Sequence, residues 1–108
     1  MKKGLIAAGC LLALLTGSRM TAAKPGDAAK GKDVFEQCAV CHNADSTEKK
    51  MGPGLKGLFK KAKLGSGKAV TEVNVRAVIN AGGNGMPSYA DMLSDDEKND
   101  VIAYLKTL

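Results

Sequence analysis

Residues 38–42 read Cys38-Ala39-Val40-Cys41-His42. Two thiols separated by two residues, with an imidazole directly after the second, can do three kinds of chemistry. They can attach a haem: each thiol adds to one vinyl group, and the adjacent imidazole swings under the ring to bind iron. They can contribute to a zinc site, which wants four ligands. Apart from Cys10 the chain has two Cys and one His, so a carboxylate would have to complete that set. They can also form a redox dithiol, which wants a preceding strand and a helix N-terminus in a βαβ setting. Here a helical pattern precedes the pair and no strand does. Covalent haem c is the reading these residues favour, with zinc and dithiol chemistry as the competitors.

An iron held by one His has a second axial position to fill, and Met is a common ligand there. Beyond the N-terminal segment the methionines are Met51, Met86 and Met92. Met86 stands in Gly82-Gly83-Asn84-Gly85-Met86-Pro87, a loop able to bring backbone close to a flat group and stiffened by Pro87. It is the candidate sixth ligand. Met51 reads as loop packing and Met92 as core, the usual fate of a Met.

Helices must position these groups. Asp27 can cap a helix running towards Gln37 or Cys38, with Ala28, Val34, Phe35 and Cys38 inward. Gly31 shares the face of Phe35, which suggests close helix approach. Residues 43–70, rich in Gly and Lys, read mainly as loop, with Leu55, Leu58 and Phe59 on a short helical turn. A second helix is expected over 71–80, with Val73, Ala77, Val78 and Ile79 partly inward, stopped by Gly82-Gly83. The last helix opens on a Ser94/Glu97 capping box followed by an acidic first turn. Val101, Ile102, Leu105 and Tyr104 form its apolar face. No convincing strand and no internal repeat is evident.

The chain has 108 residues, 44% hydrophobic and 25% charged, with 4% aromatic and no Trp. That is globular composition with room for one small domain. Few aromatics fill the core poorly, and small domains usually need a staple. A covalent porphyrin plate would supply one, with three to four short helices wrapped around it in an all-α fold. Lys2 and Lys3, the apolar run 5–15 and the small pair Ala22-Ala23 form a secretory-signal pattern, too short for a comfortable membrane span. Residues 1–23 are therefore expected to be a cleaved signal, with Cys10 part of it, and 24–108 the mono-haem domain. An uncleaved anchor is the alternative. Cleavage removes Lys2, Lys3 and Arg19, lowering the formal charge of +5 by three. Nucleic-acid binding loses its main argument, and membrane contact is expected only through partners or a retained signal.

Gly31-x-x-x-Phe35-x-x-Cys38-x-x-Cys41-His42, Gly52-Pro53-Gly54-Leu55-x-Gly57-Leu58, Gly85-Met86-Pro87 and Tyr104-Leu105 occur in that order. In this ordered set the chain resembles a class I cytochrome c of the small, mono-haem, short bacterial type. The resemblance implies thioethers at Cys38 and Cys41, and axial ligation by His42 and Met86. It implies that the Pro53 carbonyl meets the non-ligating nitrogen of His42, and that Leu55 lines the haem pocket. It also implies that Gly31 and Phe35 pack across Tyr104, and that Tyr89 packs on the haem or bonds a propionate.

Lys49, Lys50, Lys56, Lys60, Lys61, Lys63 and Lys68 crowd the central loop, and Asp91, Asp95, Asp96, Glu97 and Asp100 crowd the start of the last helix. Lysines around a haem edge would steer acidic redox partners; a merely solvated loop is the plainer alternative. With both axial positions filled, iron has no site for substrate. The expected function is thus a periplasmic, monomeric one-electron carrier between a donor complex or dehydrogenase and a terminal oxidase or reductase, not an enzyme. Two other readings stand beside it. One is a haem subunit held tightly by a periplasmic dehydrogenase; the other is a gas-binding or peroxidase-like protein with open iron.

Overall fold

The computed structural model describes residues 25–108; the expected signal, its cleavage point and Cys10 lie outside them. Three α-helices and one 3-10 turn make up the described residues: α1 (Ala28–Phe35), the turn Leu58–Lys60, α2 (Glu72–Ala81) and α3 (Asp95–Leu105). No strand occurs among them, only two isolated bridges, Lys63 with Ala69 and Gly83 with Met86. This is the all-α architecture that the sequence predicts. No described helix is long and apolar enough to cross a membrane.

Each helix starts where a side chain can satisfy its free N–H groups. The Asp27 carboxylate accepts from the N–H of Ala29 and Lys30, and the Thr71 hydroxyl from Asn74. Ser94 and Glu97 close a full capping box: Ser94 Oγ accepts from Glu97 N at 3.1 Å, and Glu97 Oε1 accepts from Ser94 N at 2.9 Å. Asp95, Asp96 and Glu97 then meet the positive end of the helix dipole. Ser94→Ala is expected to cost about 1 kcal/mol. In the haem-loaded protein that is a fall in Tm of roughly 4–8 °C; an unchanged Tm would show the box to be idle.

The fold rests on the crossing of α1 and α3. Gly31 is buried at the crossing, where a Cβ would lie 1.9 Å from the Asp100 carbonyl oxygen. One turn on, the rings of Phe35 and Tyr104 stack at 5.4 Å with a 54° tilt. At the other end Asp27 N donates to Asp100 Oδ1 at 2.8 Å. Phe35, Leu58, Val75, Ile79, Tyr89, Leu93, Val101, Ile102 and Leu105 form one core.

Three expectations are corrected. In α2 the inward stripe is Val75 and Ile79, four residues apart; Val73, Ala77 and Val78 are exposed. The helix is apolar on several sides, so its own pattern does not choose the face that meets the core. Met92 is exposed and Leu93 beside it takes the core position. Helix α1 ends at Phe35, short of Gln37. The chain continues in tight turns, with Cys38 N bonding to Phe35 O at 2.7 Å and His42 N to Cys38 O at 3.0 Å.

Candidate functional site

Those turns carry Cys38, Cys41 and His42. Both thiols are free and half-buried. Burial pushes the Cys38 thiol pKa up, and the Cys41 sulfur beside it adds to the shift. At neutral pH Cys38 therefore keeps its proton. An S–H group brings both the sulfur and the hydrogen that addition across a carbon–carbon double bond consumes.

The segment after the motif folds back onto it. Gly52 N bonds to Cys41 O at 2.8 Å and Leu55 N to Asn43 O at 2.7 Å. This return brings the Pro53 carbonyl oxygen to 2.8 Å from His42 Nδ1. A carbonyl only accepts, so the proton sits on Nδ1 and the Nε2 lone pair is left for a metal. Gly52 closes the cradle: a Cβ there would stand 2.5 Å from His42 Cε1. Any side chain at 52 would push the imidazole aside. Gly52 is the contact that sequence reasoning missed; its presence in the glycine-rich stretch before Pro53 was the available signal. Leu55 is half-buried against the core.

Met86 stands on the loop that follows α2. Gly83 and Met86 exchange two backbone hydrogen bonds, at 2.8 and 3.0 Å. Between them Asn84 has φ 54° and Gly85 φ 90°. Two positive φ angles in succession make this a type I′ turn, the conformation Asn-Gly favours. Met86 thus leaves a rigid two-residue turn, half-buried against the core. Tyr89, three residues on, is buried, and its hydroxyl pKa is raised, first by burial and then by the Cys38 and Cys41 sulfurs. Among the residues after Met86, Tyr89 is thus the one whose hydroxyl feels the two sulfurs. Two free thiols, an imidazole with its Nε2 lone pair left over and a thioether are a donor set suited to a covalently held iron porphyrin.

Met51 is not loop packing: it is 78% exposed, with its sulfur 3.8 Å from Cys41 Sγ. Val40 is exposed at the same edge. The seven central-loop lysines are all exposed, and Lys50 turns inward at its tip and donates to Ala39 O at 3.0 Å. That bond ties the basic loop to the Cys38–Cys41 turn.

The sequence profile of the family described as Cytochrome c matches residues 28–108. A cytochrome c2 from Rhodospirillum rubrum is 33% identical, aligned over 100% of this chain and 99% of its own. A cytochrome c6 from Leptolyngbya boryana is 38% identical over 73% of this chain and 89% of its own. Among solved structures, cytochrome c6 from the diatom Phaeodactylum tricornutum superposes with a TM-score of 0.61. It is 27% identical over 76% of this chain and 93% of that one. The chain accordingly belongs to the cytochrome c family, mono-haem electron carriers with a covalently attached haem c and its iron.

Proposed function

We propose that the protein is a periplasmic one-electron shuttle whose haem is held by thioethers at Cys38 and Cys41, with His42 Nε2 and Met86 Sδ as the axial ligands. Haem bound there supplies an iron that gains and loses a single electron. The observation that carries this reading is the 2.8 Å contact of His42 Nδ1 with Pro53 O, which commits the imidazole to one tautomer. The chain's own residues do the rest. Gly52 leaves room for the ring, and the Nδ1–H bond raises the basicity of Nε2. The Asn84-Gly85 turn fixes the point from which Met86 approaches. With His42 and Met86 holding the iron from both faces, no open position would remain there for a substrate.

On this reading residues 1–23 are a cleaved export signal, and the working domain, 24–108, acts in the periplasm as a monomer. Its redox partners dock at the exposed lysines of residues 49–68, beside the exposed Val40 and Met51. Positive charge there meets acidic donors and acceptors and speeds encounter in a salt-dependent way.

The test is the visible spectrum of the exported protein, oxidised and reduced. Low-spin haem c with a methionine-to-iron charge-transfer band in the oxidised form is expected. A high-spin spectrum would take Met86 off the iron and favour ligand binding or peroxidase chemistry. Absence of covalent haem would return Cys38 and Cys41 to thiol or metal chemistry.

A further inference from the structure

Lys98 is the one charged side chain buried among the described residues, 6% exposed in the first half of α3. Burying an ammonium is costly unless its hydrogen bonds are met. Its Nζ donates to the Ala90 carbonyl oxygen at 2.9 Å. Ala90 closes the strap that begins at Met86, and the strap is tied at further points. Tyr89 N donates to Ile79 O at 2.9 Å, and Ser88 Oγ donates to Asn80 O, both at the end of α2. Leu93 N donates to Tyr89 O at 3.2 Å. The α2 bonds hold the middle of the strap to one helix. The Lys98 bond alone among these joins its end to α3, the helix that crosses α1 just ahead of the cysteine motif.

We infer that Lys98 is a positioning residue for the Met86 ligand: its buried ammonium holds the Ala90 carbonyl and so keeps the Met86 strap closed over the iron. The inference rests on the proposed His42/Met86 ligation. The chemistry is that of a charge-assisted hydrogen bond, made by a lysine packed away from solvent to the backbone carbonyl of the exposed Ala90. A solvated lysine would contribute helix propensity and charge, and nothing to the strap.

Exogenous imidazole reaches the iron only when Met86 withdraws, so its apparent affinity reports the fraction of molecules with the strap open. The experiment titrates the oxidised haem-loaded protein with imidazole in wild type, Lys98→Met and Ser94→Ala. Lys98→Met keeps an apolar stem of similar length and removes the ammonium. Ser94→Ala weakens α3 while leaving the Ala90 contact in place. Lys98→Met is expected to bind imidazole about tenfold more tightly than wild type, the scale of one charge-assisted hydrogen bond. Ser94→Ala is expected to stay within about twofold of wild type, as a helix cap acts on global stability. An unchanged Lys98→Met, or equal gains in both variants, overturns the inference. Should Lys98→Met fail to accumulate with haem, Lys98→Gln, which keeps an N–H donor without the charge, is read the same way with a smaller expected gain; no gain overturns the inference. A wild type lacking the methionine charge-transfer band sinks the Met86 reading itself. A wild type that has it, with no selective Lys98 effect, sinks only the positioning role.

Discussion

Met86→Ala is expected to abolish the methionine-to-iron charge-transfer band of the oxidised protein and to lower the reduction potential by on the order of a few tenths of a volt. The size follows from the range that axial ligands command, about 0.8 V across haem proteins. The direction follows from the thioether, a weak donor that favours ferrous iron and raises the potential of His/Met centres. Packing contributes to a different readout. Met86 is only half-buried, so its truncation should cost less than the about 2–5 kcal/mol of a fully buried Met→Ala change. The type I′ turn ahead of it uses the backbone of Gly83, Asn84, Gly85 and Met86 and does not need the sulfur. Helix content by far-UV circular dichroism should therefore survive while the iron spectrum changes. Met86→His separates the two effects further, since it restores a strong ligand and a low-spin spectrum with a lower potential than wild type. A band that persists in Met86→Ala would assign the sixth position to another residue.

What the sequence made legible was what lies close together along it. Cys38, Cys41 and His42 fall within five residues, and their joint chemistry can be read without a fold. The Ser94/Glu97 box is likewise a four-residue code, and the structure shows both of its hydrogen bonds. Gly31 and Phe35 were legible because one helical turn puts them on a common face, which does pack on Tyr104. Choices between equivalent neighbours were not legible. Val73, Val75 and Val78 offer α2 similar apolar bulk, and only the position of α3 decides that Val75 turns inward. Met92 and Leu93 are adjacent apolar residues, and the strap geometry buries the second. Lys98 was hidden for a related reason. In an acidic run it reads as a countercharge on a solvated face, and nothing local reveals that Ala90 folds over it. The Gly52–His42 contact spans ten residues of irregular loop, beyond the reach of any periodicity.

Gly31→Ala should be the most damaging single methyl group in the molecule's framework. On propensity alone the change helps, by about 1 kcal/mol in a helix interior. Space reverses the sign. The added carbon would stand 1.9 Å from the Asp100 carbonyl oxygen and 2.8 Å from Tyr104 Cβ. The oxygen belongs to the helix backbone and cannot rotate away as a side chain can, so α1 and α3 must move apart. Separation also strains two contacts made by the same pair of helices. One is the Phe35–Tyr104 ring pair, worth about 0.5–1.5 kcal/mol beyond its burial. The other is the Asp27 N–H bond to Asp100. Overpacking by itself costs about 1–3 kcal/mol. With these losses added, the net expectation is destabilisation of about 3 kcal/mol or more, a fall in Tm of roughly 12 °C or more for a domain of this size. Gly65→Ala is the matched control. A Cβ there meets nothing within 4 Å and needs no left-handed backbone, so it should leave Tm unchanged or raise it slightly. Thermal melts of the two haem-loaded variants decide the matter. If Gly31→Ala melts within a few degrees of Gly65→Ala, the α1–α3 crossing is looser than the 1.9 Å approach implies, and the fold owes its stability to the haem more than to its helices.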